Sequence, residues 1–319
     1  MGGYLMIEVL TIGEPMGLLV ADEVKPLEDV EHFTRYVAGA EINFAVGMAR
    51  LEHKVAYVSK LGNDPFGKHI KKFLADNKID NRYISFDNDH MTGMQLKAKV
   101  ETGDPEVVNF RKNTASANMN VNDIVSIDWS TIKHLHITGI PPALSSSCRA
   151  TIYALIATAR KHAVRISFDT NLRPALWKDK QEMVDVINDL ACKCDMVLPG
   201  VSEGQILTGS DDLDTIADFY LKSGVKTVVI KVGSKGAFVK TAEGSFTVPA
   251  FKVDHIVDTV GAGDGFAVGV VSALLEGLEL KDAVKRGAAI GALAIMSPGD
   301  NDGLPTVAGL KKYLSEVQS

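Results

Sequence analysis

The sequence predicts an α/β protein, with a mostly parallel central sheet covered by helices on both faces and a small β-sheet lid. Three observations predict it. Short β-branched runs alternate with helical patterns along most of the chain. One segment breaks that rhythm with a two-residue alternation of its own, and the chain closes on three successive helical patterns. Strand then helix, repeated, requires crossover connections, hence parallel strands buried on both faces.

Strands are expected at residues 6–12, 55–60, 135–138, 165–169, 196–198 and 227–232, short runs that each carry aliphatic residues. Helices are expected between them at 42–51, 67–77, 146–162, 181–191 and 213–223, and then in sequence at 266–276, 281–296 and 306–317. The exceptional segment is 94–100, where Gln95, Lys97 and Lys99 alternate with Leu96, Ala98 and Val100. A turn over residues 101–105, with Thr102 and Asp104, leads into Val107, Val108, Asn109, Phe110 and Arg111. That pattern predicts an antiparallel hairpin with one wet face. With residues 18–20 and 34–37 it forms a small projecting sheet, whose apolar side needs a cover from substrate or from a partner subunit. Residues 1–319 read as one domain, with the lid formed by about 15–37 and 92–112. No internal repeat, low-complexity tract or linker interrupts it.

The chain has 319 residues, 46% hydrophobic and 23% charged, which suits a globular protein with a large core. Lys and Arg total 34 against 40 Asp and Glu, for a net charge of −6, and no long basic run occurs. Nucleic acid is therefore not an expected partner. An acidic protein that binds anions must concentrate its cations locally. Its three cysteines, Cys148, Cys192 and Cys194, fit neither a disulfide framework nor a paired zinc site. The opening residues 1–4 lack a signal-peptide pattern, Met6 stands where a myristoylation signal has Ser or Thr, and the longest apolar helix is too short for a bilayer. No membrane association and a cytoplasmic location are the expectation.

The strongest chemical signal is Asp258-Thr259-Val260-Gly261-Ala262-Gly263-Asp264-Gly265, which leads directly into the apolar helix pattern. Small residues let backbone N–H groups crowd around an anion, and a helix N-terminus adds about half a positive charge. An aspartate there stands where a phosphoryl group would be held and can take a proton from an attacking hydroxyl. A second glycine-containing loop, Lys231-Val232-Gly233-Ser234-Lys235-Gly236, follows a strongly apolar strand and can let a nucleotide lie against backbone. Neither a Walker lysine loop nor a Gly-x-Gly-x-x-Gly fingerprint occurs, which disfavours P-loop enzymes and nicotinamide dehydrogenases.

These residues resemble the ribokinase-type sugar kinases, the PfkB family. The C-terminal signature of that family is similar to Asp258–Asp264 here, and its N-terminal signature is similar to Gly39-Ala40-Glu41-Ile42-Asn43-Phe44-Ala45, with Ala49-Arg50-Leu51 and Gly62-Asn63-Asp64-Pro65-Phe66-Gly67 after it. The likeness spans essentially the whole chain. It implies a ribokinase-like three-layer fold with a β lid, and an ATP-dependent kinase that uses Mg2+, with K+ as an additional ion. Within the family the chain resembles the branch acting on 2-keto-3-deoxygluconate. The stretches that carry this are Gly13-Glu14-Pro15, Phe110-Arg111-Lys112, Ile137-Thr138-Gly139-Ile140 and Asp169-Thr170-Asn171-Leu172-Arg173 before Leu176-Trp177.

A keto acid carries a carboxylate, and Arg173 stands just past the C-terminal end of an expected strand, where open α/β sheets bind ligands. Arg111 lies on the lid hairpin, on one face with Asn109, so two guanidiniums approaching from body and lid can clamp a carboxylate. The resemblance implies that Gly39, Ala40 and Asn43 line the sugar site. It also implies that Gln95 and Asn109 stand where related keto-acid kinases carry lid tyrosines, and that Glu203 helps hold magnesium through water. Gly200 replaces the family's Asn three residues before that acid. Backbone N–H groups of Gly261, Ala262 and Gly263 are expected to stabilise the transferring phosphoryl, and Lys231, Gly233, Ser234 and Gly236 to contact the nucleotide.

Each position also has an ordinary reading. The Gly261–Asp264 element can be a strand–helix turn, residues 231–236 a hairpin turn, the arginines ion-paired, and Asn43 and Glu203 helix-start residues. His134 and His136 share one strand face, as metal ligands can, but no third ligand is suggested, so packing is expected. The expected reaction moves phosphate from ATP to the terminal hydroxyl of a sugar acid, with Asp264 as general base. A fructokinase or ribokinase activity and a non-catalytic sugar-binding regulator are the alternatives. Association of copies through the lid is expected from the resemblance alone.

Overall fold

The computed structural model describes residues 6–101, 103, 105–253, 255–257, 259–297 and 301–317. Asp258 of the glycine-rich motif, Thr102 and Asp104 of the expected turn, and residues 1–4 lie outside the described residues. In chain order the elements are β1 (Val9–Ile12), β2 (Met16–Ala21), β3 (Phe33–Ala38), α1 (Ala40–Arg50), β4 (Val55–Gly62), α2 (Pro65–Asp76), β5 (Ile84–Asp87), β6 (Met94–Lys97) and β7 (Val107–Phe110). There follow β8 (His134–Thr138), α3 (Pro141–Leu144), α4 (Ser146–Lys161), β9 (Arg165–Asp169), α5 (Lys180–Ala191), β10 (Met196–Val197), α6 (Val201–Thr208), α7 (Leu213–Lys222), β11 (Thr227–Lys231), β12 (Ala237–Thr241) and β13 (Gly244–Val248). The last three helices are α8 (Ala262–Leu275), α9 (Leu280–Ile295) and α10 (Val307–Glu316).

The large sheet runs β13-β12-β11-β10-β9-β8-β1-β4-β5. Every pairing is parallel except β11 with β12 and β12 with β13. Its strands are apolar on both faces because helices cover both. From β1 and β4, Leu10, Ile12, Ala56 and Val58 enter one core, while Val9, Val55 and Tyr57 enter the other. Side chains alternate across a strand, so one run feeds two layers. Helix starts are fixed by side-chain caps: Asp64, Ser145, Asp179, Asp212 and Thr306 each accept a backbone N–H from the first turn.

The second sheet runs β3-β2-β6-β7. It contains the expected hairpin, with Gln95 opposite Asn109, and joins it to β2 in parallel. The face expected to be wet carries Leu18, Gln95, Lys97, Val107 and Asn109 and lines a cavity between this sheet and the body. The polar alternation thus faces a cavity, where a water-exposed face was the expectation. The hairpin β12–β13, strand β5 and helix α6 were not among the expected elements, and α8 begins at Ala262, one turn earlier than the apolar run suggested.

Helix α8 is apolar all round and buried along most of its length. Glycines set how near its neighbours come. A Cβ added at Gly269 would lie 2.5 Å from the Gly287 backbone of α9, and one at Gly47 of α1 would lie 2.6 Å from Val268. Gly269→Leu should therefore destabilise the fold by about 1–3 kcal/mol or more, since overpacking against backbone cannot relax by rotamer change. Urea unfolding measures this, and an unchanged midpoint would mean the two helices are free to move apart.

Candidate active site

The carboxyl ends of β1, β8, β9 and β11 open into a cavity of about 560 Å³ that the small sheet covers from the other side. Loops beyond the carboxyl ends of parallel strands gather side chains from elements far apart in sequence. Five carboxyl groups line this cavity (Glu14, Glu41, Asp169, Glu203, Asp264) together with four cations (Lys97, Arg111, Arg173, Lys231). Gly39, Ala40, Asn43, Gln95 and Asn109 complete the expected sugar-side residues in the same wall.

Gly261 caps α8 with φ +79°, a left-handed conformation that suits glycine. Gly265 N–H donates to the Gly261 carbonyl at 2.8 Å, so it opens the helical ladder. The N–H groups of residues 261–264 precede the ladder and have no partner within the helix. Asp264 lies in that first turn and accepts from Asn43 Nδ2 at 2.8 Å. Burial raises its pKa to about 7, with Asp169 and Glu41 adding to the rise and Asn43 and Lys231 opposing it. A carboxyl with that pKa is suited to accept a proton near neutrality.

Lys231 projects from the end of β11 and donates to both oxygens of Asp169, at 2.9 and 2.8 Å. Burial pushes its ammonium down, but Asp169, Glu203 and Asp264 outweigh that and hold it above the ordinary lysine value. A Cβ at Gly263 would lie 3.4 Å from Lys231 Nζ, so the glycine gives the ammonium room beside the start of α8. Lys231, Thr259 and Gly263 also form the wall shared with a second cavity of about 530 Å³. That cavity is lined largely by apolar groups, including Ala250, Val253, Ile256, Ala288, Ala292 and Ile295. The glycine loop turns back as the β11–β12 hairpin, the ordinary reading, and Gly233, Ser234 and Gly236 line this cavity.

The arginines are not equivalent. Arg111 Nε donates to Glu14 at 2.8 Å, and Nη2 lies 2.5 Å from the same oxygen. Glu14 is 1% exposed and also accepts from Thr114 at 2.6 Å. Arg173 is exposed, and its Nη1 donates to the Leu172 carbonyl at 3.0 Å. Body and small sheet therefore bring both guanidiniums to one cavity, as the spacing predicted, but the charge of Arg111 is already matched. Gln95 Nε2 donates to Asn109 Oδ1 at 2.7 Å across the hairpin, which fixes the two lid amides against each other.

Glu203 accepts from Thr170 Oγ1 at 2.8 Å, Leu172 N at 2.7 Å and Gly200 N at 2.8 Å. The last bond is a capping box on α6, in agreement with the ordinary reading. Among the described residues no three His, Cys, Asp or Glu side chains form a metal cluster. His134 and His136 both bond to Ser167 Oγ, at 2.7 and 2.8 Å, and burial lowers each pKa to about 3, so they are neutral packing residues.

A family model described as pfkB family carbohydrate kinase matches residues 6–307. The chain is also 45% identical over 312 residues to the 2-dehydro-3-deoxygluconokinase of Bacillus subtilis (strain 168), covering 98% of this chain and 96% of that protein. This chain belongs to the PfkB family of carbohydrate kinases. A PfkB protein from Polaromonas sp. JS666 superposes with a TM-score of 0.88 at 44% identity, covering 96% of this chain and 99% of that one. A putative ribokinase II from E. coli, solved in complex with ATP and Mg2+, gives 0.89 at 26% identity, covering 97% and 99%. No helix among the described residues is long and apolar enough to cross a membrane.

Three residues of this PfkB cavity were quoted in the sequence motifs without a role, Glu14, Glu41 and Asp169, and so was Thr138 behind it. Glu41, fully buried on α1, accepts from Thr138 Oγ1, and its Oε2 has no hydrogen-bond partner. Gly13 makes space for it, since a Cβ there would lie 2.2 Å from Oε2. Burial raises the Glu41 pKa to about 7. Its folded pKa exceeds the ordinary glutamate value of 4.5, so its contribution favours folding at low pH and is lost as pH rises through about 7. Glu41→Gln should therefore raise Tm relative to wild type more at pH 8 than at pH 5. An equal Tm difference at the two pH values would mean that Glu41 is not the buried titrating group.

Proposed function

We propose that this PfkB kinase phosphorylates the terminal hydroxyl of 2-keto-3-deoxygluconate, the sugar acid also called 2-dehydro-3-deoxygluconate, with ATP as donor. The observation that carries the reading is the position of Asp264: a carboxyl with its pKa raised to about 7, in the first turn of α8, lining the polar cavity next to Gly263, which lines both that cavity and the apolar one. In this reading the sugar acid occupies the polar cavity. The adenine occupies the apolar one, beside Gly233, Ser234 and Gly236.

The substrate hydroxyl gives its proton to Asp264 as its oxygen bonds to the terminal phosphorus. The bond from that phosphorus to the bridging oxygen breaks, and ADP leaves with the electron pair. N–H groups of residues 261–264 hold the charge that spreads over the transferring phosphoryl, and Lys231 adds a cation at the shared wall. Asn43 keeps the Asp264 carboxyl oriented. Glu203 would hold, through water, the Mg2+ that accompanies ATP, and that ion would supply neutralisation of phosphate charge. The small sheet acts as a lid that excludes water as a competing acceptor.

The support for an acid substrate is Arg173, exposed at the cavity with a guanidinium that no carboxylate side chain pairs among the described contacts. Arg111 adds donors from the lid with its net charge already cancelled by Glu14. Association of copies through the lid belongs to the same reading, since Phe110 stands 54% exposed on its other face.

Asp264→Asn should lower kcat by about 10² to 10⁴-fold while ATP binding stays near wild type. ADP release with the sugar acid measures the first and calorimetric titration the second, and near-normal turnover would end the assignment of the base. Arg173→Ala should raise KM for the sugar acid by about tenfold or more and change KM for a neutral ketose little. Equal losses on both substrates would remove the carboxylate from the reading.

A further inference from the structure

The contact between Asn43 and Asp264 has a second neighbour that no sequence motif singled out. Asn43 is 2% exposed, and the two ends of its amide face different atoms. Nδ2 donates to Asp264 Oδ2 at 2.8 Å, while Oδ1 lies 3.4 Å from Asn301 Nδ2. The other hydrogen of Asn301 Nδ2 goes to the Val37 carbonyl at 3.2 Å, at the root of β3. Asn301 is 9% exposed, so water has little access to replace it.

An asparagine amide turned by half a rotation puts its carbonyl where its NH2 was. Against Asp264 that would set two acceptor oxygens face to face. We propose that Asn301 is a positioning residue for phosphoryl transfer, donating to Asn43 Oδ1 so that the NH2 group of Asn43, and not its carbonyl, meets Asp264. The inference rests on the reading of Asp264 as the base.

A second set of contacts shows why the segment bearing Asn301 holds still. Arg50, two turns after Asn43 on α1, donates through Nη1 to the carbonyls of Asn301 at 2.6 Å and Leu304 at 2.8 Å. Helix α1 thus grips the segment at both positions, and residues seven apart fall on one helix face. The chain runs from Arg50 through the Asn301 backbone to its amide, then to Asn43, then to the base.

The test compares Asn301→Ala and Asn301→Leu, the latter similar in size to Asn but without a donor, with Asn43→Ala, the Asn43→Ala/Asn301→Ala double variant and Asp264→Asn. The groups around Asp264 that remain in the Asn301 variants are Asn43 and Glu41 from α1, Asp169 from the end of β9 and Lys231 from the end of β11. Donation from Asn43 favours the charged carboxylate, so its loss moves the acidic limb of the kcat/KM profile to higher pH. Both Asn301 variants should show that move and a kcat lowered about 2- to 10-fold, with KM for ATP unchanged. In the Asn43→Ala background the Asn301 substitution should add nothing to either. A limb that stays in place in both variants, or losses that multiply in the double variant, overturns the positioning role. Full turnover by Asp264→Asn would overturn the base reading instead, which keeps the two failures distinct.

Discussion

The site depends on a close crossing of two helices. Gly47 on α1 lets Val268 of α8 approach to a distance that a Cβ would forbid. One turn earlier on both helices stand Asn43 and Asp264, joined by a 2.8 Å hydrogen bond. Packing deep in the core therefore fixes the separation of two polar groups at its edge. Helix α8 can be pressed this closely because it is apolar on every side, and its half-buried start, whose first N–H groups have no partner within the helix, lines the cavity. In the proposed reaction the helix end is both the phosphate cradle and the mount for the base.

Electrostatics divides the cavity by pairing. Arg111 is matched by Glu14 and Lys231 by Asp169, so each cation sits beside an acid that fixes its position. Desolvation pushes Glu41 and Asp264 toward neutrality at the same time. A protein of net charge −6 thus presents an anionic substrate with a cavity whose acids are paired, capped or near their neutral form, and with Arg173 projecting into it. The buried Glu14 also stands where the small sheet meets the body. A Cβ at Gly39 would press on its carbonyl at 2.9 Å, and one at Gly93 would lie 3.0 Å from its Oε1. The residues that join lid to body and those that face the sugar are the same few.

Local pattern carried the frame of this fold. Alternating strand and helix patterns specified the parallel sheet, and the two-residue period of Gln95, Lys97 and Leu96 specified the hairpin. Gly261, Ala262, Gly263 and Asp264 were legible because a glycine-rich turn before an apolar run has few uses. What could not be read were partners distant in sequence: Glu14 with Arg111 is 97 residues apart, and Asn43 with Asp264 is 221. Periodicity says which face a residue takes, not what stands opposite. The β12–β13 hairpin escaped notice because its second strand, with exposed Gly244, Ser245 and Thr247, lacks an apolar run. Glu203 shows the opposite limit, since a single first-turn acid is equally a cap and a metal-side residue; its bond from Gly200 N makes the cap, while those from Thr170 and Leu172 tie it to the loop after β9.

The central claim joins a proton acceptor at the start of α8 to a cavity that selects a carboxylate. Its most direct test is wild-type ADP release across a panel of substrates at neutral pH, comparing kcat/KM for 2-keto-3-deoxygluconate with that for fructose and ribose. The account predicts a preference for the sugar acid of about a hundredfold or more, as expected for a charge-assisted contact with Arg173. Equal or greater use of a neutral sugar would contradict it.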